Sequence, residues 1–318
     1  MARFTRSLLA AVLALGAPAV QARTAADRDV DPRVAERVLK LNRATRWTQV
    51  AAIPIRFRTF HPQGMVRIGN ETYVSSVEIK VLPRKLPTPI DGHAYDAGVG
   101  VGHLFKIGAD GALLADLILG EGSIYHPGGI DYDGTSILVP VAEYRPDSRA
   151  IIYRVSPRTM TATKIATVAD HIGGVVHDVA RGRLVAISWG ARRFYDWPMM
   201  RDGTVPRASV ADPIANIDNY IDYQDCHYLG GRSMLCSGVA DYQAAGDAPA
   251  VSFGGIDLVD LPSHRPVWQV PIAMHAPSGR SMTQNPFWVE ATATGLRAYF
   301  MPDDDASTLF VFDAVVPG

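Results

Sequence analysis

Three histidines head short motifs of the same build: Phe60-His61-Pro62-Gln63-Gly64, Tyr125-His126-Pro127-Gly128-Gly129 and Asp170-His171-Ile172-Gly173-Gly174. Two worn copies, Asp222-Tyr223-Gln224-Asp225-Cys226 and Thr283-Gln284-Asn285-Pro286-Phe287, put Tyr223 and Gln284 in the histidine position. Imidazoles gathered with an amide or carboxylate can hold a divalent cation and leave coordination positions open for water or substrate. His61, His126, His171 and Gln284 are therefore candidate ligands for Mn, Zn or Ca. Without a metal, the same histidines could act as general acids and bases, since imidazole titrates near neutral pH. The competing explanation is structural. Residues at one place in every repeat face one narrow channel, where polar side chains often only satisfy each other and a few waters.

Other candidates follow from the same repeat. Each motif is followed by a polar turn and an apolar run, and these runs end at Glu78, Glu143 and Trp189. The two glutamates are candidate catalytic bases or partners of the histidines. Gln63, Tyr223, Asp225 and Asn285 lie inside the motifs and are candidate substrate-binding groups, with Trp189 and Arg192 at the rim. Arg192-Arg193 followed by Phe194-Tyr195-Asp196-Trp197 suits an anionic or sugar-like ligand. Gly98-Val99-Gly100-Val101-Gly102 has no strand-to-helix context for a dinucleotide site and reads as a flexible loop. No nucleotide cofactor is expected.

The elements that must position these groups are strands. A unit recurring every roughly 45–65 residues matches one four-stranded propeller blade and exceeds most helical repeats. The apolar runs Glu71–Val77, Ser136–Val141, Arg183–Ile187, Ser233–Cys236 and Arg297–Phe300 give the second strand of each blade. Hairpins such as Leu104–Ile107 with Leu113–Leu119 give the third and fourth. The third blade has a third strand in Arg193–Trp197 and no clear outer one. The last blade runs out of chain after Thr308–Phe312, and Gln49–Ile55 supplies its missing outer strand, which removes a sheet edge. The expectation is an all-β, five-bladed β-propeller closed by its N-terminal strand, with a short N-terminal helix near Asp31–Asn42. A sixth blade would need a further repeat hidden in residues 79–120. The turns between first and second strands are minimal, whereas Val81–Gly102, Gly238–Gly255 and Pro302–Ser307 are long and share a face with the histidines. Elaborate loops on a rigid scaffold are where binding concentrates.

Composition bounds the rest. The chain has 318 residues, 47% of them hydrophobic, and a formal net charge of −1. With no basic run interleaved with aromatics, a nucleic-acid partner is not expected. Arg3, Arg6, an apolar stretch from Leu8 to Val20, and Val20-Gln21-Ala22 read as a signal peptide over residues 1–22, so export to the periplasm or medium after cleavage near Ala22 is expected. No later stretch is long and apolar enough to span a membrane. Residues 23–45 form an extension with the helix, and 46–318 a single domain, expected to be monomeric. Cys226 and Cys236 flank the Gly230-Gly231 turn and fall opposite each other on antiparallel strands. A disulfide and a pair of buried thiols both fit.

Taken together, the motifs at His61, His126 and Tyr223-Gln224-Asp225-Cys226 resemble an uncharacterised family of exported bacterial β-propeller proteins, over essentially the whole mature chain. That resemblance implies the fold and the export and brings no activity. More loosely, three histidines and a glutamine in a ring look like the metal centre of His-ring propeller lyases such as oligogalacturonate lyase. This implies a metal-assisted lyase or hydrolase acting on a small or oligosaccharide-like polar ligand. A non-catalytic ligand- or protein-binding propeller is the alternative.

Overall fold

The inner strands read as near-continuous apolar runs because both of their faces are covered by neighbouring blades. Leu138, Val139 and Val141, for example, are fully buried. In the computed structural model, which describes residues 31–209, 212–218, 220–242 and 251–316, five four-stranded antiparallel sheets are arranged as a five-bladed β-propeller. The expected signal peptide lies outside the described residues.

Blade one runs outward from the channel through His61–Ile68, Glu71–Val81, Val99–Ile107 and Leu113–Leu119. In blade two the inner strand is split into His126–Pro127 and Asp131–Tyr132, followed by Ile137–Ala142, Ala150–Ser156 and Thr161–Val168. Blade three holds Ile172–Asp178, Arg183–Ser188, Arg193–Pro198 and a two-residue outer strand, Ile214–Ala215. Blade four holds Asp222–Tyr228, Ser233–Tyr242, Val251–Asp260 and Arg265–Ile272. Blade five takes Phe287–Ala291, Gly295–Phe300 and Thr308–Val315 from the end of the chain and Trp47–Pro54 from its beginning. The last pair is antiparallel, with Trp47 opposite Ala314 and Pro54 opposite Thr308, so the outer strand of the last blade comes from the chain's start.

The N-terminal helix is shorter than expected. It spans Arg33–Val38, and turns carry the chain on to Leu41. Val34, Val38 and Leu41 bury against blades four and five, and Trp268 Nε1 donates to the Leu41 carbonyl at 2.9 Å. Two long loops are more ordered than the sequence suggests. Val81–Gly102 contains a two-stranded ribbon, Lys85–Ile90 with His93–Tyr95. Its glycine-rich end is not a loop but the start of the third strand of blade one. A side chain at Gly100 would overlap the Tyr125 ring, so glycine there permits close packing. Within Gly238–Gly255, strand pairing continues out to Tyr242 opposite Val251.

The middle of the channel is closed by backbone. Gly129 bridges Gly174, and its amide donates to the Gly173 carbonyl at 2.8 Å. A Cβ on Gly64 would sit 2.5 Å from Ile130 N, and one on Gly129 would sit 2.9 Å from the Asp225 Cα. The recurring glycines thus exist to let inner strands touch. Beneath this collar, two buried carboxylates tie the blades together. Asp225, on blade four, accepts from the amides of Met65 (2.8 Å), Ile130 (3.1 Å) and Phe287 (3.4 Å), one each from blades one, two and five. Asp131, on blade two, accepts from His177 N (2.9 Å) on blade three and Tyr228 N (3.2 Å) on blade four. Cys226 and Cys236, paired directly across the inner strands of blade four, form a disulfide.

Candidate functional site

His61 and His126 begin their inner strands and His171 immediately precedes one, so all three stand above the glycine collar. The ring centres of His61 and His126 are 6.4 Å apart, and those of His126 and His171 are 6.0 Å apart. Each outer histidine is held by its Nδ1. His61 Nδ1 lies 2.8 Å from Asp304 Oδ1, and His171 Nδ1 lies 2.8 Å from the Glu143 carbonyl, so His171 donates there. This leaves both Nε2 atoms for other work. His126 is 6% exposed, and neither of its ring nitrogens has a hydrogen-bond partner among the described residues. A buried imidazole with two unused nitrogens is costly unless something fills them.

Burial, reinforced by the neighbouring His171 and His61, holds the His126 pKa well below its ordinary value. Burial likewise brings His171 down to about 4, against the opposing pull of the Glu143 carbonyl and Asp170. Both imidazoles are therefore neutral at pH 7 and carry a lone pair. Burial also raises the Asp304 carboxyl, but His61 and Arg280 more than offset this and leave it below the usual range.

Asp304 organises one side of the site. Its Oδ1 accepts from Asn285 Nδ2 at 3.2 Å as well as facing His61, and its Oδ2 pairs with Arg280 at 2.8 Å. The backbone that presents it is strained. Phe60 and Asp305, the neighbours of His61 and Asp304, both have φ of +57°, and Asp305 N donates to the Phe60 carbonyl at 2.6 Å. Bulky residues avoid this region, and such conformations concentrate at functional sites. On the other side, Tyr144 stacks on His126 with centres 4.3 Å apart, and Trp189 meets His171 edge-on at 4.7 Å. Tyr144 and Trp189 stand 5.7 Å apart and form an aromatic wall.

The ring is not the one expected at every blade. A one-residue slip in strand register follows Pro62, Ile172 and Tyr223, which aligns His61 and His171 with Asp222, not Tyr223. In blade five, Phe287 N donates to Asp225 as Met65 and Ile130 do, which aligns Thr283, not Gln284, with the histidines. Tyr223 packs between blades three and four, and its hydroxyl donates to Asp257 Oδ2 at 2.8 Å. Gln284 is half-buried at the end of a short helical turn. Asp225 is the staple below the collar. Gln63 is buried and its amide donates to the Pro62 carbonyl at 3.1 Å.

Of the two glutamates, Glu78 sits 3.5 Å from Lys80, and Glu143 is fully buried. Glu143 accepts from Ser123 at 2.7 Å and pairs with Arg145 and Arg149 at 2.7 Å each. Burial raises its carboxyl, but these partners pull it below the ordinary range. Its side chain is a positioning group, and its backbone carbonyl is what reaches His171. Arg192 stays at the rim, paired with Asp222 at 2.7 Å. Arg193 does not join it, being turned to Asp170 and Asp147, and Phe194, Tyr195 and Trp197 are core residues. Tyr144 was absent from the sequence candidates although it directly follows Glu143. Asp304, in the loop Pro302–Ser307, was likewise absent from the candidates, yet it orients His61.

A family model described as a family of unknown function matches residues 28–318. The chain belongs to the DUF6454 family. No curated protein matches it. Among solved structures, this DUF6454 chain is similar to Kuenenia stuttgartiensis hydrazine synthase, with 14% identity and a TM-score of 0.38, covering 80% of this chain and 59% of that one. It is also similar to a luciferin-regenerating enzyme, with 10% identity and a TM-score of 0.41, covering 85% of this chain and 98% of that one. Likeness at this level carries no argument about chemistry.

Three neutral or partly exposed imidazoles fit a divalent cation in donor type. Each outer ring is oriented through Nδ1 by an oxygen, the arrangement that commonly fixes metal-ligating histidines. Metal–nitrogen bonds of about 2.1 Å would bring ring centres to about 5–5.5 Å, so the rings would draw in by about an ångström. As placed, no group of three ligating side chains among the described residues stands in ready coordination geometry.

Proposed function

We propose that the top-face centre is a three-histidine metal site of an exported hydrolase or lyase that acts on a small or oligomeric polar substrate. The observation that carries this reading is His126: buried, neutral and unpartnered at both nitrogens, between two histidines whose Nδ1 atoms are already held. A cation bound there would polarise a carbonyl or acidify a water, which serves either hydrolysis or β-elimination. His61, partly exposed and oriented by Asp304, moves a proton at its Nε2 if it is not recruited as a ligand. Asp304 and the Glu143 carbonyl hold the two outer rings.

Calorimetric titration of metal-stripped protein with Mn²⁺, Zn²⁺ and Ca²⁺ tests the reading. One site per chain is expected in the wild type and none in His126→Ala, and equal titration of the two would overturn it. The second reading is a non-catalytic binding propeller, favoured by exposed Leu82, Ile90 and Tyr95 on and beside the top-face ribbon. In that case, substitutions on the ribbon would abolish partner binding and the histidines would tolerate change.

A further inference from the structure

We infer that the same site takes a neutral, hydroxyl-rich ring, a saccharide, stacked on Trp189. This rests on the proposed top-face site but not on its metal. Trp189 is 37% exposed although it touches His171, so part of its ring faces the mouth of the site. With Tyr144 tilted 33° to it, the two rings form a shallow curved shelf beside the histidines. A partly exposed indole beside a polar site offers a flat apolar face, and ring-shaped ligands with C–H faces suit such a surface.

The charges around the shelf select against an anion. Arg192 is paired with Asp222 at 2.7 Å and Arg280 with Asp304 at 2.8 Å. Arg145 and Arg149 share Glu143, while Arg193 holds both Asp147 and Asp170, so these five arginines face five carboxylates. No unpaired positive charge from these groups awaits a carboxylate or phosphate. Paired charges keep spare N–H donors and carboxylate lone pairs, which suit hydroxyl groups that both donate and accept. Arg192 and Asp222 are 55% and 40% exposed in their side chains, so both remain reachable.

The test is a tryptophan-fluorescence titration of the mature chain with neutral gluco-, xylo-, manno- and galacto-oligosaccharides, with oligogalacturonate as the anionic comparator. Wild type, Trp189→Ala and Trp189→Phe are run side by side, with and without chelator, and binding by the two Trp189 variants is read calorimetrically. The expected result is saturable binding of at least one neutral series, weakened about tenfold or more in Trp189→Ala. Trp189→Phe restores most of it, and chelator leaves it in place in the wild type. Binding of the anionic series alone, equal binding by Trp189→Ala, or no binding by any neutral series overturns the inference. Sugar binding by a protein that takes up no metal in the calorimetric titration would sink the metal-enzyme reading and spare this one, while metal uptake with no sugar binding would do the reverse.

Discussion

At the scale of residues, the site depends on a few atoms whose partners are elsewhere in the chain. Asp304 fixes the Nδ1 of His61, so Asp304→Asn should weaken metal binding about 10–100-fold with little change in thermal stability. Equal affinities in the titration would remove Asp304 from the site. Below the collar, Asp225 carries a different load. Asp225→Ala leaves three buried amides without their acceptor and should cost about 3–5 kcal/mol by urea unfolding. His227 supplies a pH signature. Burial lowers its pKa, but Asp225 and Asp131 outweigh burial and raise it to about 10. A raised pKa means that the charged form stabilises the fold. The contribution is complete below about pH 6.5 and is lost as pH rises through about 10. The wild type should therefore lose stability between pH 7 and 10 more steeply than His227→Asn, and parallel curves would contradict this. The three histidines were legible because each opens a recurring motif. Tyr144 and Asp304 were not, because they reach the site from other strand ends. Tyr223 and Gln284 were misplaced by one residue because the two worn copies keep no histidine to anchor the alignment.

At the scale of elements, the closure of blade five and the hairpin of blade four carry the testable content. The outer strand Trp47–Pro54 was readable from its alternation and from the last blade running out of chain. Beginning the protein after residue 54 should expose a sheet edge along Thr308–Val315 and yield aggregation or failure to fold, as read by size-exclusion chromatography. A soluble, cooperatively melting truncation would contradict the closure. The Cys226–Cys236 bridge spans a sequence separation of 10, and replacing both residues with alanine should cost about 2–3 kcal/mol. The outer strand of blade three escaped the sequence pattern for a physical reason. Among the described residues only Ile214 and Ala215 pair, opposite Phe194 and Arg193, too short a run for any periodicity.

At the scale of the whole molecule, the inner strands meet near the propeller axis through backbone. Gly64 and Gly129 leave no room for a side chain, and the Gly129–Gly174 bridge completes the seal between the histidines and the carboxylate staples beneath. The carboxylate staples stitch the blades below the glycines, which leaves the histidines above them for the proposed site. The account's central claim is that the upper half holds a metal through its histidines. Elemental analysis of the purified protein beginning at residue 23, wild type beside His61→Ala/His126→Ala, tests it most directly. The account predicts near one divalent ion per chain in the wild type and about tenfold less in a folded double variant. Metal-free wild type after incubation with Mn²⁺, Zn²⁺ and Ca²⁺, or equal metal in both proteins, would contradict it.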